Sequence, residues 1–146
     1  MTGAGSPDRP LAVDCFGHTI HLDASLLRES DAEARRQLGA YAAGERETFD
    51  LGIEYPETFT GRVWERVEAI PCGETATYGD LAAELGTSPV AVGSANARNP
   101  LPVVVPCHRV VGTDSLRGYR YPGLKERLLG HEGSAGSLGF DLDGTV

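Results

Sequence analysis

One cysteine of this chain lies among residues that can make its thiol reactive. Cys107 is preceded by Pro106 and followed by His108 and Arg109, at the end of an apolar run, Val103–Val105. A buried cysteine usually acts only as a small hydrophobic residue. A thiol reacts as its thiolate, however, and needs a base or a cation nearby, which the histidine and the arginine supply. The pattern therefore predicts a nucleophilic thiol at Cys107.

The local geometry decides whether His108 can serve this thiol. Neighbouring residues of a strand point to opposite faces, so the imidazole reaches Cys107 only if the chain leaves the strand at Pro106 or a water molecule bridges the pair. Glu132 is a candidate to orient the imidazole from its far side. These three residues would form a cysteine, histidine and acid relay like that of cysteine hydrolases.

The other two cysteines give no sign of a disulfide or a metal site. Three cysteines are an odd number and lie far apart, which favours free thiols in a reducing compartment. Cys15 shares a predicted hairpin with His18 and His21, but three ligands do not complete a structural zinc site. Their spacing also puts alternate ligands on opposite faces of a strand. We expect no metal and no cofactor, and an inert thiol at Cys72.

The chain is acidic, but its charge is unevenly distributed. The formal net charge is -8 and the isoelectric point about 4.9, which at first argues against binding to nucleic acid. Between Arg98 and Arg127, however, six basic residues outnumber two acidic ones, so this stretch carries +4 and the remainder -12. Twelve arginines accompany a single lysine, a balance that resembles proteins of salt-loving archaea. We interpret the acidity as solvation in a high-salt cytoplasm.

Length and hydropathy indicate a cytoplasmic protein. The 146 residues, 40% of them hydrophobic, can build one compact unit or a small domain joined to a larger one. No stretch approaches the 18 or so apolar residues that span a bilayer, and residues 1–10 lack a cationic segment followed by an apolar run. We expect a monomer without a membrane or an obligate protein partner.

The first part of the chain has the pattern of a small α/β domain. Residues 1–10 are rich in Gly, Pro and Ser and are predicted to be disordered. Residues 11–57 form the predicted domain and its linker, the latter at Leu51–Glu57. Apolar alternation and the cap residue Ser30 predict two strands and a helix: Leu11–Phe16, His18–Leu22 and Asp31–Ala43.

From residue 58 onward, apolar residues recur at helical spacing. Four helices are predicted: Phe59–Ile70, Tyr78–Gly86, Val90–Ala97 and Gly123–Leu129. The second and third form a helix-turn-helix outline, whose second helix can enter a DNA groove. Asn99 before Pro100 ends that helix, and Leu101–Val105 is predicted as the strand that delivers Cys107. The fold class is thus a small α/β N-terminal domain plus a mainly helical C-terminal domain, residues 58–146, with a winged-helix-like DNA-binding unit and a flexible C-terminal tail.

These motifs resemble one known family, the O6-alkylguanine-DNA alkyltransferases. Val103–Gly112 resembles the family's active-site run, in which Pro-Cys-His-Arg is the signature. The resemblance covers about residues 59–133 strongly and the N-terminal part only loosely. Further blocks follow the family's order and spacing: Thr60–Pro71, Gly73–Ala82, Asn99–Pro100, Gly118–Tyr119 and Leu128–Gly133.

The resemblance implies repair of double-stranded DNA by direct alkyl transfer, once per molecule and without a cofactor. Cys107 would be the alkyl acceptor, His108 its partner through a water molecule, and Glu132 the acid of the relay. Asn99 would hold the hinge between the recognition helix and the active-site segment, with its amide bonded to local backbone. Tyr78 would contact both the flipped base and a phosphate, and would donate a proton to the departing guanine.

The resemblance also implies two groups of residues around the base. The guanine pocket would be lined by Val110, Val111, Tyr119 and Arg120. The DNA-binding set would be Tyr78, Val90, Ala91, Gly93, Ser94, Arg98 and Arg109.

This chain departs from the family at two places. The family has an arginine, three residues before the glycine that Gly93 matches, which fills the gap left by the flipped base, whereas this chain has Val90. Val90 is expected to wedge into the base stack as an apolar side chain, or Arg98 to reach in instead. The segment Gly118–Leu124, with Pro122, also differs, which affects the guanine pocket.

Three other functions compete with alkyl transfer. An alkyltransferase-like protein binds alkylated DNA but lacks the acceptor cysteine, and Cys107 is present here. A winged-helix regulator needs only the helix pair and leaves the Pro-Cys-His-Arg run unexplained. A cysteine hydrolase with Cys107, His108 and Glu132 would turn over repeatedly, whereas an alkyltransferase stops after one equivalent.

Overall fold

In the computed structural model, the N-terminal part is a β-hairpin that packs against one helix. The structure describes residues 10–112 and 123–133. Strands β1 (Pro10–Cys15) and β2 (His18–Asp23) pair antiparallel, and alternate residues are buried because side chains alternate between the two faces. Helix α1 (Asp31–Ala42) contacts β1. The predicted strands and helix are therefore confirmed, with Pro10 already part of β1.

The hairpin and α1 are stabilised by local features that the sequence signals. Phe16 and Gly17 form the two-residue turn with φ values of 50° and 82°, as the twist of an antiparallel hairpin favours. The Ser30 side chain caps α1 by accepting a bond from the Glu33 amide at 3.1 Å. The turn therefore fixes the pairing of β1 with β2, and the cap fixes the start of α1.

The segment predicted as a linker, Leu51–Glu57, is bound to the N-terminal part. Leu51 is buried, and Ile53 forms an isolated antiparallel bridge with Leu27. The Arg28 amide donates to the Gly52 carbonyl at 2.9 Å. This segment therefore carries the chain from the hairpin unit to the helices along a defined path.

Four helices follow, each within one or two residues of its predicted bounds. They are α2 (Phe59–Glu68), α3 (Tyr78–Leu85), α4 (Pro89–Ala97) and α5 (Leu124–His131). Thr58, Thr77 and Ser88 cap the first three, because each side-chain oxygen accepts a bond from an amide of the first turn. The Trp64 indole donates to the Ala95 carbonyl at 2.8 Å and joins α2 to α4.

The segment Leu101–Val105 was predicted as a strand, and this prediction is wrong. The chain there is a compact loop in which the Val105 amide donates to the Leu101 carbonyl at 2.8 Å. Prolines at 100, 102 and 106 remove backbone donors that a ladder would need. Val103 has φ of 74°, a left-handed conformation that costs a β-branched residue energy. The prediction therefore rested only on the apolar composition of the run and on the burial expected from it.

A short parallel pairing brings the two parts of the site together. Strand β3 (Ala76–Thr77) pairs with β4 (Val110–Val111), and Ala76 lies opposite Val110. Tyr78 therefore begins α3 beside the backbone that follows Cys107. One hydrophobic cluster runs from the hairpin through α2, α3 and α4 to α5. In residues 10–112 and 123–133, no helix combines the length and apolar character required to cross a bilayer.

Candidate active site

Cys107 lies in a single turn of 3-10 helix, Cys107–Arg109. The Arg109 amide closes this turn by donating to the Pro106 carbonyl at 2.9 Å. The chain thus leaves extended geometry at Pro106, the condition required for His108 to lie on the same side as the thiol. Both side chains are buried.

Glu132 at the end of α5 binds the two residues that follow Cys107. Its Oε2 lies 2.7 Å from Nε2 of His108, and Arg109 donates through Nε to Oε1 at 2.8 Å and through Nη2 to Oε2 at 2.9 Å. Arg109 also donates through Nη1 to the Ile70 carbonyl at 2.6 Å. A two-pronged guanidinium contact of this kind fixes the carboxylate in orientation as well as position.

The protonation states of the relay follow from these contacts. Burial alone would raise the pKa of Glu132, but the hydrogen bonds from His108 and Arg109 outweigh it and hold that pKa well below its usual range. Burial lowers the pKa of His108 in spite of the neighbouring Glu132 carboxylate. At neutral pH the carboxylate is ionised and can only accept, so Nε2 of His108 carries the hydrogen and Nδ1 is the basic nitrogen. The imidazole is therefore a neutral base.

Lys125 of α5 is a further member of this site that the sequence did not suggest. Its Nζ donates to the Val110 carbonyl at 2.7 Å and lies 5.9 Å from the centre of the Tyr78 ring. Burial lowers the pKa of Lys125 to about 8, and the charge of Cys107 opposes that shift. A cation so close to Cys107 favours the thiolate. The signal in the sequence was its uniqueness, since the other twelve long basic residues are arginines.

Two asparagines anchor the loop that carries Cys107. Asn99 donates through Nδ2 to the Val105 carbonyl at 2.8 Å and accepts from the Leu101 amide at 2.9 Å, so its amide bonds local backbone as expected. Asn96, which the sequence did not single out, donates from α4 to the Cys107 carbonyl at 3.1 Å. The backbone of Cys107 is thereby connected directly to the second helix of the helix pair.

Tyr78 faces both α4 and Lys125. A Cβ at Gly93 would lie 3.8 Å from two ring carbons of Tyr78, an ordinary van der Waals distance, so the ring packs against α4 at this position. Val110 and Val111 are buried beside β3. The predicted pocket residues Tyr119 and Arg120, with the divergent segment up to Pro122, lie outside the described residues.

The predicted DNA-contact residues divide into exposed and buried ones. Val90, Ser94 and Arg98 share an exposed face of α4, and Arg98 donates to the Ser94 hydroxyl at 3.2 Å. Val90 is 82% exposed, whereas Ala91 is half-buried. Arg109 is a correction to the predicted set: it is 6% exposed and bound to Glu132 and Ile70, so its guanidinium does not face a DNA backbone.

The remaining sulfur and imidazole groups lie apart from this relay or in less reactive settings. Within the described part of the chain, no group of three His, Cys, Asp or Glu side chains is arranged to hold a metal ion. Cys15 is buried, and burial raises its pKa to about 11, while His21 lies on the exposed face of the hairpin. Burial and the charge of Glu132 raise the pKa of Cys72, which disfavours its thiolate.

The site thus combines an exposed helix of a helix pair, joined through Asn96 to the Cys107 backbone, with a buried pair of His108 and Glu132 beside that cysteine. This combination is the one expected of DNA-binding proteins that use a cysteine. The family model described as "6-O-methylguanine DNA methyltransferase, DNA binding domain" matches residues 58–134. The chain belongs to this family. Its resemblance to a haloarchaeal member in particular stays a prediction.

Relatives with known names support the same family. The methylated-DNA–protein-cysteine methyltransferase of Archaeoglobus fulgidus is 47% identical in an alignment of length 114 that covers 71% of this chain and 76% of the relative. The constitutive enzyme of Bacillus subtilis is 51% identical in an alignment of length 92 that covers 60% of this chain and 56% of the relative. The match thus spans little more than half the length of the second relative.

Solved structures give the same assignment. A variant of the Mycobacterium tuberculosis O6-methylguanine methyltransferase superimposes with a TM-score of 0.70 at 31% identity, covering 84% of this chain and 91% of the other. The M. tuberculosis protein OGT in complex with DNA superimposes with a TM-score of 0.63 at 41% identity, covering 71% and 68%.

Proposed function

We propose that this protein repairs DNA by transferring an alkyl group from O6 of guanine to Sγ of its own Cys107, once per molecule. The observation that carries the proposal is the 3-10 turn, which puts Cys107 next to a neutral His108 fixed by the Glu132 carboxylate. A hydrolase relay would use the same groups, but the helix pair beside it and the family of the chain favour DNA as the substrate.

The proposed reaction balances without a cofactor. His108 accepts the thiol proton through Nδ1, directly or through a water molecule, and Lys125 stabilises the resulting thiolate. The sulfur lone pair forms a bond to the alkyl carbon while the bond from that carbon to O6 breaks. The electron pair stays on the purine, which takes a proton from the Tyr78 hydroxyl, and the proton that His108 took from the thiol then neutralises the phenolate. The product is a thioether, which water does not cleave, so each molecule reacts once.

The target base has to leave the duplex before it reaches the buried thiol. Extrusion costs a few kcal/mol and less at a weakened pair. We propose that α4 enters a groove with its exposed face, and that Val90 fills the space left by the base. Ala91, Gly93, Ser94 and Arg98 would lie along the DNA, and Tyr119 and Arg120 would complete a guanine pocket with Val110 and Val111.

The wider organisation is part of the proposal. We expect an α/β N-terminal domain, residues 11–57, with a winged-helix-like domain after it, and a monomer in the cytoplasm that needs no protein partner. Gel filtration and limited proteolysis test these points. A dimer, or cleavage that leaves no stable fragment, would contradict them.

Intact-mass measurement after incubation with a duplex containing O6-methylguanine tests the transfer. We expect one methyl group per protein, located on Cys107, and none in Cys107→Ser. Cys72→Ser is the matched control, because Cys72 is another thiol close to Glu132, and it should be methylated like the wild type. Salt must be held constant, since phosphate contacts weaken as salt rises. Binding without a mass change would indicate a non-catalytic binder, and repeated turnover would indicate a hydrolase.

A further inference from the structure

Glu132 has a third hydrogen-bond donor, and it comes from the N-terminal part of the chain. The hydroxyl of Tyr41, in the last turn of α1, donates to Oε2 of Glu132 at 2.6 Å. The same oxygen accepts from His108 at 2.7 Å and from Arg109 at 2.9 Å. We propose that Tyr41 is a positioning residue of the transfer reaction, which sets the basicity of His108 by holding Glu132. The inference rests on the proposed alkyl transfer.

Tyr41 is held so firmly that its hydroxyl has a defined direction. The residue is 1% exposed, and its ring packs against Phe49 and His131 with centroid distances of 5.5 and 5.1 Å. Its carbonyl also accepts a bond from Nε2 of His131 at 2.8 Å. The side chain and the backbone of one residue thus bind the adjacent residues His131 and Glu132. A buried phenol hydroxyl requires such a partner, because an unmet donor is costly.

The contact stays in place throughout the working pH range. Burial and the nearby charge of Glu132 raise the pKa of Tyr41 well above its usual value, so the hydroxyl remains a donor. Glu132 remains ionised because its hydrogen bonds hold its pKa down. Tyr41 therefore acts as a constant donor to a constant acceptor and does not itself exchange protons with the relay.

The effect on catalysis passes through the charge on Oε2. A carboxylate oxygen that shares its charge among more donors is a weaker acceptor for each. The pKa of His108 is higher when the negative charge on Oε2 of Glu132 is fully available to it, and lower when the Tyr41 hydroxyl also binds that oxygen. Arg109, Cys72 and Lys125 also act on this pair, and all three remain in Tyr41→Phe. Loss of that hydroxyl alone should therefore raise the pKa of His108.

Tyr41 lies outside the part of the chain that the family model matches. The matched domain covers residues 58–134, and Tyr41 lies before it. The site described by that domain supplies the thiol, imidazole, carboxylate and guanidinium, while α1 contributes the remaining donor. The N-terminal part is thus an element of the reaction centre as well as a neighbour of it.

Tyr41→Phe tests the proposal, because it removes one hydroxyl and keeps the buried ring. Tyr55→Phe is the matched control: the Tyr55 hydroxyl also donates to a carboxylate, that of Glu68, away from the relay. Single-turnover methyl transfer would be measured by intact mass across acidic and neutral pH. We expect Tyr41→Phe to move the acid limb of the rate profile upward by up to about one pH unit, and to slow transfer up to about tenfold on that limb. Tyr55→Phe should leave it unchanged.

Two further measurements separate the possible outcomes. The pKa of His108, followed by NMR on folded protein without DNA, should rise in Tyr41→Phe whether or not alkyl transfer occurs. Site-specific 3-fluorotyrosine at position 41 preserves the fold and donates more strongly, so it should lower that pKa. An unmethylated wild type would contradict the proposed function, whereas a methylated wild type with identical His108 titrations in all variants would overturn the role of Tyr41.

Discussion

Replacement of Lys125 by methionine separates what the site needs for stability from what it needs for chemistry. Lys125 is 1% exposed and its Nζ donates to the Val110 carbonyl at 2.7 Å. Burial lowers its pKa from 10.5 to about 8, so the folded protein pays to keep this group charged at neutral pH. Each pKa unit corresponds to about 1.4 kcal/mol, and the buried charge therefore costs about 3 kcal/mol at pH 7.

The expected stability change is the balance of two effects. Methionine removes the buried charge and gains about 3 kcal/mol, but it leaves the Val110 carbonyl without this donor, which costs about 1 to 3 kcal/mol. We expect Lys125→Met to be as stable as the wild type or up to about 2 kcal/mol more stable at pH 7. Because the unfolded state binds the proton more tightly, wild-type stability should rise between pH 8 and about 10.5, and the advantage of the variant should shrink.

Activity should change in the opposite direction. Lys125 interacts with the charge of Cys107, and a neighbouring cation lowers the pKa of a thiol by one unit or more. Without it, the thiolate fraction at neutral pH should fall, and single-turnover methyl transfer should slow by about tenfold to a hundredfold. A variant that is more stable and less active indicates a charge retained for function.

The assay combines urea unfolding at several pH values with methyl transfer followed by intact mass. Arg127→Met is the matched control, because Arg127 is an exposed cation of the same helix that contacts the Phe16 ring. It should lose about 1 kcal/mol or less and react at the wild-type rate. Wild-type transfer in Lys125→Met, or a loss of several kcal/mol of stability, would refute the reasoning.

Two other substitutions test the helix pair and the loop that carries the thiol. Val90→Ser should change the free energy of unfolding by less than about 0.5 kcal/mol, because Val90 is 82% exposed. It should nevertheless slow methyl transfer from duplex DNA more than transfer from a single strand, in which no base stack has to be filled. Equal slowing on both substrates would contradict a wedge at Val90. Asn99→Ala removes two buried hydrogen bonds and should lower the free energy of unfolding, measured by urea denaturation, by about 2 to 4 kcal/mol. An unchanged urea midpoint would show that Asn99 does not support the loop.

The helices and the hairpin could be predicted because their signals are local. Apolar residues recur along α2 at spacings of three and four, and the structure confirms Ser30 as the cap of α1. Gly86 marks the end of α3, since it adopts the left-handed conformation with φ of 69°. Such features depend on neighbouring residues and require no knowledge of tertiary contacts.

The strand predicted at Leu101–Val105 failed because its partners were assumed. A run of apolar β-branched residues fits a buried strand, but a strand needs a neighbour that accepts its hydrogen bonds. Here the Asn99 side chain supplies hydrogen bonds to the backbone of the loop instead: it accepts from the Leu101 amide and donates to the Val105 carbonyl. Pro102, which lacks an amide donor, was the one sign within the run against a strand, whereas the bonds that Asn99 makes instead depend on the folded loop.

The parts of the site that the sequence missed are long-range. Tyr41 and Glu132 are in contact although most of the matched domain lies between them in the sequence. Nothing in the residues around Tyr41 distinguishes it from an ordinary aromatic residue of the core. Asn96 looks like a helix-end asparagine until its contact with the Cys107 carbonyl is seen. For Arg109 the sequence suggested a contact that the structure does not favour. An arginine beside a nucleophile suggests a phosphate contact, whereas here it binds a carboxylate at the end of α5.

The buried cations change how the charge of this chain is understood. The basic stretch from Arg98 to Arg127 coincides with the candidate active site, and two of its members, Arg109 and Lys125, are buried and bind Glu132 and the Val110 carbonyl. Their charge stabilises the relay and the thiolate and is not available to phosphates. With a net charge of -8, the protein should therefore gain much of its affinity for damaged DNA from contacts at the extruded base, and its binding should fall less steeply with salt than six basic residues at phosphates would give.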